Sequence, residues 1–566
     1  MSDLTSLRVA LSGLLAQQRA LEITGHNIAN ASTEGYSRQR VELSANAGPI
    51  TPAMYARWPG SGFGVDVDGI SRLHDNFLET RSLLEHGASG ALARSESALT
   101  RLESLFPEPG DSGIGALLGD FWAGWNDVAN NPGDQATRTQ LLERGRALVD
   151  QVQQTASAID VLRTGMVDEL ATVVTEVNTI ANAVAELNRT IRSAATAGLA
   201  HNDLLDQRDV LVRQLADLVG ASQRAADGET VDIFVGGSAL VRGDAAETLL
   251  VDVSGPSVMV RFERDGTPAT INGGEVGGIL GAVNDVLVRY RDGLDGVATA
   301  LRDSVNAVHA ALTGSLAVGS QDLSAAGPLS FALRVNGVSL PDVTVTGADW
   351  SGPGGAAALQ ASLQGALDAS TGAAGTVVAT VTGGNGAPIE ITLAAGDPTD
   401  SVTVGRVVGS NGLAVLLGSV AVGLDGFGGR AFFTGTDAAD LAIADAIDAD
   451  PNAIGAGFAA NGPLDGAAAL RLGGLVGEPL GADARYRALV VGLGVESQAM
   501  SRRVEIQETA TRQIDADRDS QSGVNLDEEM VAMLGFQHAY AASARFLTAI
   551  DEVLDTLVNR TGAVGR

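Results

Sequence analysis

Cysteine is absent from the 566 residues. The chain therefore has no disulfide framework, no thiolate nucleophile and no cysteine-ligated zinc or iron–sulfur site. Lysine is absent as well: all 37 basic residues are arginine. A P-loop needs a lysine on the phosphates, and Schiff-base chemistry needs a lysine amine, so both are excluded. Positive charge is in short supply, 37 arginines against 68 acidic residues, for a net charge of −31. That balance argues against nucleic-acid binding, which calls for a basic footprint. Long apolar runs are missing too. Gly412–Leu424 is the longest candidate and contains a serine, short of the roughly 18 apolar residues expected of a membrane helix. No membrane insertion is expected. Asp3 sits where a secretory signal would carry its basic end, and polar residues interrupt the stretch after it. The expectation is a chain that stays in the cytosol or is exported without a cleaved signal. Aromatics are few (4 Trp, 5 Tyr, 13 Phe), whereas glycine is abundant at 71 residues.

What is present is periodic. Leu4, Leu7, Leu11, Leu14, Gln18, Leu21, Gly25 and Ile28 step by three and four, a narrow coiled-coil stripe that needs a partner helix. Asn30 to Gly35 reads as its stop, with Gly35 free to take positive φ. At the other end Phe536, Tyr540, Leu547, Ile550, Leu554 and Leu557 share a helical face. Asp527, Glu528 and Glu529 stand at its start, where the helix dipole favours acid. The simplest partner for each terminal helix is the other, or another copy.

Between them the apolar spacing predicts long helices over about 135–195, 278–312 and 484–518. Residues 229–264 alternate and read as a small β element. Composition shifts at about 313. From Thr313 to Arg430 there are 11 charged residues and 23 glycines in 118 positions, with short β-branched runs such as Val343–Thr346 and Val402–Val404. This predicts an inserted all-β domain on the outside, with helical signals resuming near Asp437. The expected fold class is α+β and multidomain. Terminal helices form a coiled coil (residues 1–60 with 521–566). A mainly helical body with the small β element spans 61–312 and returns at 431–520, and the β insertion covers 313–430.

Several motifs point to chemistry and are weak. Gly110-Asp111-Ser112-Gly113 spells a serine-protease nucleophile, but it follows Pro107-Glu108-Pro109 and the six histidines are scattered, so an interhelix loop is the better reading. Asp66-Val67-Asp68-Gly69 resembles the start of a calcium loop, but the later ligands are missing, and an exposed strand is expected. The glycine run Gly60–Gly64 has no strand–helix context for a dinucleotide. No cofactor, metal or catalytic residue is expected.

The informative segments are the ends. Ala10-Leu11-Ser12-Gly13-Leu14-Leu15 leads to Asn27-Ile28-Ala29-Asn30-Ala31-Ser32-Thr33-Glu34-Gly35-Tyr36. Asn27 and Asn30 lie on one helix face and can satisfy backbone groups at a helix end or across an interface; on the residues alone, an ordinary helix stop is the favoured reading. Together these residues resemble the N-terminal signature of the bacterial flagellar axial family of rod, hook and hook-associated proteins. Gly62–Val67 with Ile70, Arg72 and Phe77 is similar to that family's next stretch. Ser522–Met530 followed by Phe536–Arg545 is similar to its C-terminal signature. Three more stretches resemble the hook-associated members: Trp125–Pro132 with Arg138, Asn202–Asp209, and Phe432–Gly435.

The resemblance implies a structural protein located extracellularly on the flagellum, at the hook–filament junction, and exported by the flagellum's own apparatus. Expected partners are the hook protein, the second hook-associated protein, neighbouring copies of the chain and an export chaperone on the C-terminal helix. Axial packing is expected at Asn27, Asn30, Thr33, Gly35 and Tyr36, and opposite them at Leu526, Met530, Phe536 and Tyr540. The chaperone would contact Leu547, Ile550, Leu554 and Leu557. Both ends are expected to be frayed in the free monomer and to fold on assembly. A hook protein proper, an exported adhesin binding through 313–430, and a hydrolase using Ser112 are the competing readings.

Overall fold

The computed structural model describes residues 2–46, 63–309, 312–316, 329–335, 338–346, 355–373, 375–384, 387–395, 402–408, 431–457 and 465–556. Leu557, the run Gly412–Leu424 and the first residues of the Gly60–Gly64 run lie outside these. The chain is mainly helical with small antiparallel sheets, an α+β protein. Contacts divide it into two units, with boundaries that fall inside or beside helices.

The longest helix, Gln135–Thr196, follows the predicted span closely. Leu148, Val152, Ile159, Met166, Leu170, Val177, Val184 and Ile191 are all buried, because a 3.6-residue period keeps them on one stripe. The second predicted helix is interrupted. Gly274–Gly281 passes through a π-helical turn, Ala282–Val286, before Leu287–His309. The turn displaces the stripe: Val283 to Val308 are buried as expected, but before it Ile279 is buried in place of Leu280. The third is Ala482–Ser522.

The first unit comprises Met1–Ser97, Val167–Gly281 and Met500–Arg566. It holds both terminal helices, Ser2–Ala29 and Leu526–Asp555, which pack along each other. They run antiparallel, since Gly13 faces Ser543 while Asn27 meets Glu529. A two-stranded hairpin, Gln39–Ala45 with Val65–Arg72, lies against the N-terminal helix. Helix Asn202–Val219 ends at Gly220 in the left-handed region. The small β element is real: a four-stranded sheet over 222–246 and a hairpin, Leu249–Asp252 with Met259–Phe262.

The leucine stripe does not seat the N-terminal helix. Its buried residues are Ala10, Ala16, Ala20, Thr24 and Asn27, all small or hydrogen-bonded. A Cβ at Gly13 would stand 3.5 Å from Ser543 Oγ. Small side chains let two backbones come close, so this face is the one that packs. Leu11 and Leu15 are 46% and 53% exposed, while Leu7, Leu14, Leu21 and Ile28 are half-buried. The C-terminal helix turns Phe536, Leu547, Ile550 and Leu554 inward to different degrees.

The second unit comprises Ala98–Met166 and Ala282–Ala499. Its core gathers Phe121, Trp125, Phe432 and Phe433, all fully buried, with the Trp125 and Phe432 rings 5.3 Å apart. Asn306 fastens the Phe432–Phe433 turn. Its Nδ2 donates to Phe433 O at 2.7 Å, and its Oδ1 accepts from Phe432 N at 2.7 Å and Phe433 N at 3.1 Å. Gly110–Gly113 lies in the loop between helices Asn76–Glu103 and Ile114–Asn130, as the prolines require. Asp66 and Asp68, in the first unit, stand exposed on a strand.

Two expectations for this unit fail. The insertion is not all-β. Strand Leu329–Val335 pairs with Val338–Ser339, Val343–Val345 and Val402–Val408, and Ala387–Ala395 pairs with Val377–Gly384 and Leu312–Leu316. Between them, however, stands a 17-residue helix, Gly355–Thr371. Its Leu359, Leu363 and Leu367 are fully buried, at a helical spacing among strong helix formers. Glycine content and β-branched runs elsewhere concealed that period. Nor do helices resume at Asp437. Asp440 accepts from the backbone N–H groups of Thr436 at 2.6 Å and Asp437 at 2.8 Å, and such side-chain bonds compete with a helix. Only Asp445–Ala449 and Ala467–Gly473 are helical before Ala482 among the described residues, apart from single 3-10 turns.

Candidate assembly site where the chain ends meet

The N-terminal helix stops as its sequence requires. Asn30 Nδ2 donates back to His26 O at 3.0 Å, and Thr33 Oγ1 donates to Asn30 Oδ1 at 3.2 Å. Gly35 turns the chain with φ +74°, and a Cβ there would overlap Val210 Cγ2. Only glycine suits both the dihedral and the space.

Asn27 does more than end a helix. It is 1% exposed. Its Oδ1 accepts from Tyr36 Oη at 2.7 Å and Gln39 N at 3.0 Å. Its Nδ2 donates to Gln39 O at 2.9 Å and Glu529 Oε2 at 3.1 Å. All four hydrogen-bonding sites of the amide are used, across a helix, a strand and the far end of the chain. Glu529 is itself buried, at 2% exposure. Arg38 compensates its charge, Nε to Oε1 at 2.7 Å, while Nη1 reaches Glu528 at 3.0 Å. Arg38 N also donates to Ser522 O at 2.8 Å. Asn525 caps the C-terminal helix, accepting from Asp527 N and Glu528 N. Burial, with Asp206, Asp203 and Glu529 behind it, raises the Tyr36 phenol well above its ordinary pKa, so it remains a neutral donor.

A second layer backs this one. Ser37 N donates to Asp206 Oδ2 at 3.2 Å, and Arg72 Nη1 bridges Asp206 at 2.6 Å and Asp209 at 3.0 Å. Burial opposes the Arg72 charge, but Asp209 and Asp206 outweigh it and hold its pKa above the usual value. Asn202 and Asp203 meet the Gln39 side chain, each at 3.3 Å. The stretch Asn202–Asp209 thus props the loop that follows the N-terminal helix.

The predicted residues separate into two groups. Asn27, Asn30, Thr33, Gly35 and Tyr36 are brought together. Phe536 is half-buried, but Leu526, Met530 and Tyr540 are 48%, 52% and 37% exposed, and of these Leu526 shares a groove with Thr33, Gly35 and Tyr36. Leu547 and Leu554 are half-buried and Ile550 is buried. Sequence reasoning missed Glu529, Arg38, Gln39, Asp206 and Arg72. Glu529 carried one signal: it stands with Asp527 and Glu528 at the acid-rich start of the C-terminal helix, which was read for the helix dipole and not for a contact.

One further cluster binds helices of the same unit. His86 Nδ1 lies 2.8 Å from Asp217 Oδ1, and Nε2 lies 3.2 Å from both oxygens of Asp515. Carboxylates only accept, so both ring nitrogens must donate, and the geometry fits imidazolium. The bond to Asp217, then that to Asp515, raises the His86 pKa to about 9. Ser82 Oγ also donates to Asp515, at 3.2 Å. Among the described residues, no group of His, Asp and Glu could hold a metal ion, and no helix is long and apolar enough to cross a membrane.

Comparison with known proteins matches three parts of the chain in order. Residues 7–36 match the flagella basal body rod protein family, 99–316 the flagellar hook-associated protein FlgK helical domain, and 518–560 the C-terminal region of flagellar basal body rod FlgEFG proteins. Along its length the chain is similar to the flagellar hook-associated proteins. Flagellar hook-associated protein 1 of Bacillus subtilis is 26% identical over 581 residues, covering 100% of both chains. That of Salmonella typhimurium is 27% identical over 575 residues, covering 97% of this chain and 98% of its own. A solved structure of the flagellar hook junction protein FlgK from Burkholderia pseudomallei is 16% identical with a TM-score of 0.48, covering 78% of this chain and 100% of that one. The Asn27 cluster joins the two rod-type segments, since Asn27 and Tyr36 lie in one and Glu529 in the other.

Proposed function

We infer that the chain is a junction protein that connects hook to filament by axial self-assembly, with no catalytic role. The observation that carries this reading is the bond between Asn27 and Glu529. It ties the two rod-type segments into one antiparallel helix pair. That pair spends its small residues on its own interface and leaves Leu11, Leu15, Met530, Leu534 and Phe546 exposed. Apolar area left in water costs about 25 cal/mol per Å², so neighbouring subunits gain by covering it. The pair then acts as a coiled-coil element of an inner tube, and the domain over 313–430 faces outward. Leu547, Ile550, Leu554 and Leu557 are offered to an export chaperone before assembly, while the chain travels through the flagellar export apparatus. The hook protein and the second hook-associated protein are the partners below and above. Immunogold microscopy of intact flagella with antibody to 313–430 tests this. A single band at the hook–filament boundary is expected. Label along the whole hook would make the chain a hook protein, and label away from the flagellum would refute the reading.

A further inference from the structure

A groove of about 1250 Å³ opens in the first unit between the loop after the N-terminal helix, helices Asn76–Glu103 and Asn202–Val219, and the turn into the C-terminal helix. Eight carboxylates line it against three arginines and two histidines. Most of these carboxylates are engaged inside the chain. Asp209 holds Arg72, Asp217 and Asp515 hold His86, Asp519 holds Arg518, and Glu528 holds Arg38. Glu79 is different. It is 3% exposed, and its Oε1 has no hydrogen-bond partner among the described residues. In the same groove, Arg213 Nε is buried and likewise lacks an acceptor among them. A buried carboxylate without a cation costs several kcal/mol, and an unsatisfied buried group calls for an explanation.

We propose that the groove receives an arginine of a second copy of this chain, with Glu79 as its carboxylate and Arg213 bonding a carbonyl of the incoming segment. The proposal rests on the self-assembly reading above. The occupant's chemistry follows from charge. An acidic groove attracts a cation, and with no lysine in the sequence the cation a copy can offer is a guanidinium, whose planar fork matches a carboxylate. A peptide segment also brings the backbone acceptor that Arg213 lacks. Arg8, Arg40 and Arg545 are exposed on the terminal segments, and none is paired with an acid among the described residues. They are the groups that a neighbouring copy would present.

The test uses the full chain in assembled flagella. Glu79→Gln keeps the shape and removes the charge. The expected result is a monomer Tm equal to or above that of the unchanged protein, with incorporation at the hook–filament boundary reduced about tenfold. A lowered Tm with incorporation falling in step would make Glu79 a structural residue of the monomer and overturn the proposal. Incorporation at the normal level would do the same. Because the chain has no cysteine, mixtures of single-cysteine variants identify the occupant: Gln214→Cys on the groove rim with Arg8→Cys, Arg40→Cys or Arg545→Cys. A disulfide between copies with one of these is expected after assembly and not in the monomer. Absence of a link with all three, or a link to a different protein, overturns the choice of occupant. If the unchanged protein is itself missing from the boundary, the self-assembly reading fails, a result distinct from failure of Glu79→Gln alone.

Discussion

Asn27 and Glu529 stand 502 positions apart in the chain and meet at 3.1 Å. The contact is buried on both sides, and the rest of the Asn27 amide is committed to Tyr36 and Gln39. Asn27→Ala would leave Gln39 N and Glu529 each short of a partner inside the protein. We expect a loss of about 3 kcal/mol, read by urea unfolding of the monomer. Asn27→Asp should be worse at neutral pH, because it sets a second carboxylate against Glu529, and should recover in acid as that pair takes up a proton.

Gly35→Ala tests the turn. Positive φ and the Val210 methyl both oppose a side chain there. A loss of about 2–3 kcal/mol is expected. Adding Val210→Ala should return only part of it, since the dihedral cost stays. Full recovery in the double variant would mean that sterics alone govern the position.

His86 sets a pH window. Its folded pKa of about 9 lies above the ordinary 6.5. The resulting stability is therefore fully present below about pH 6.5 and is lost as pH rises through about 9, an effect on the order of 3 kcal/mol. On the acid side, His86 and Ser82 hold the Asp515 carboxyl below its usual pKa against its burial. The other titratable groups of the same groove are Glu34, Tyr36, Arg38, His74, Glu79, Asp209, Arg213, Arg518, Asp519, Asp527 and Glu528. Unfolding measured from pH 6 to 10 should show the decline, and His86→Gln should flatten it. An unchanged slope in that variant would assign the effect elsewhere.

The two faces of the N-terminal helix should respond oppositely. Ala16 is fully buried, so Ala16→Leu overpacks the helix pair and should destabilise the monomer by about 1–3 kcal/mol. Leu11→Ala should leave monomer stability within about 0.5 kcal/mol and weaken incorporation into flagella. Hydrogen exchange should find the terminal helix pair protected in the free monomer, with protection rising further once neighbouring subunits cover Leu11 and Leu15. Absence of protection in the monomer would mean that the pair forms only on assembly.

Much of the fold was legible in the sequence. The helix Gln135–Thr196 is a local property, because its apolar period repeats over seventeen turns. The positive φ of Gly35 and the acid-rich start of the C-terminal helix are equally local. The helix inside the insertion was legible too, at Leu359, Leu363 and Leu367, but a composition-level reading averaged it away.

The seating of the N-terminal helix was not legible, for a physical reason. Its sequence carries two stripes, one of leucines and one of alanines, glycine, threonine and asparagine. Hydrophobicity ranks the leucines first, yet burial within one chain went to the side that lets backbones approach and lets Asn27 bond. Periodicity gives the faces of a helix; it does not give the neighbour. The sequence by itself determined the helices, their ends and, through its terminal signatures, the family. Only the tertiary structure decided that Asn27 meets Glu529, that Arg38 neutralises that carboxylate and that Glu79 is buried with no cation among the described residues. Those facts depend on residues far apart in the chain, and packing alone chose among the pairings that the sequence left open.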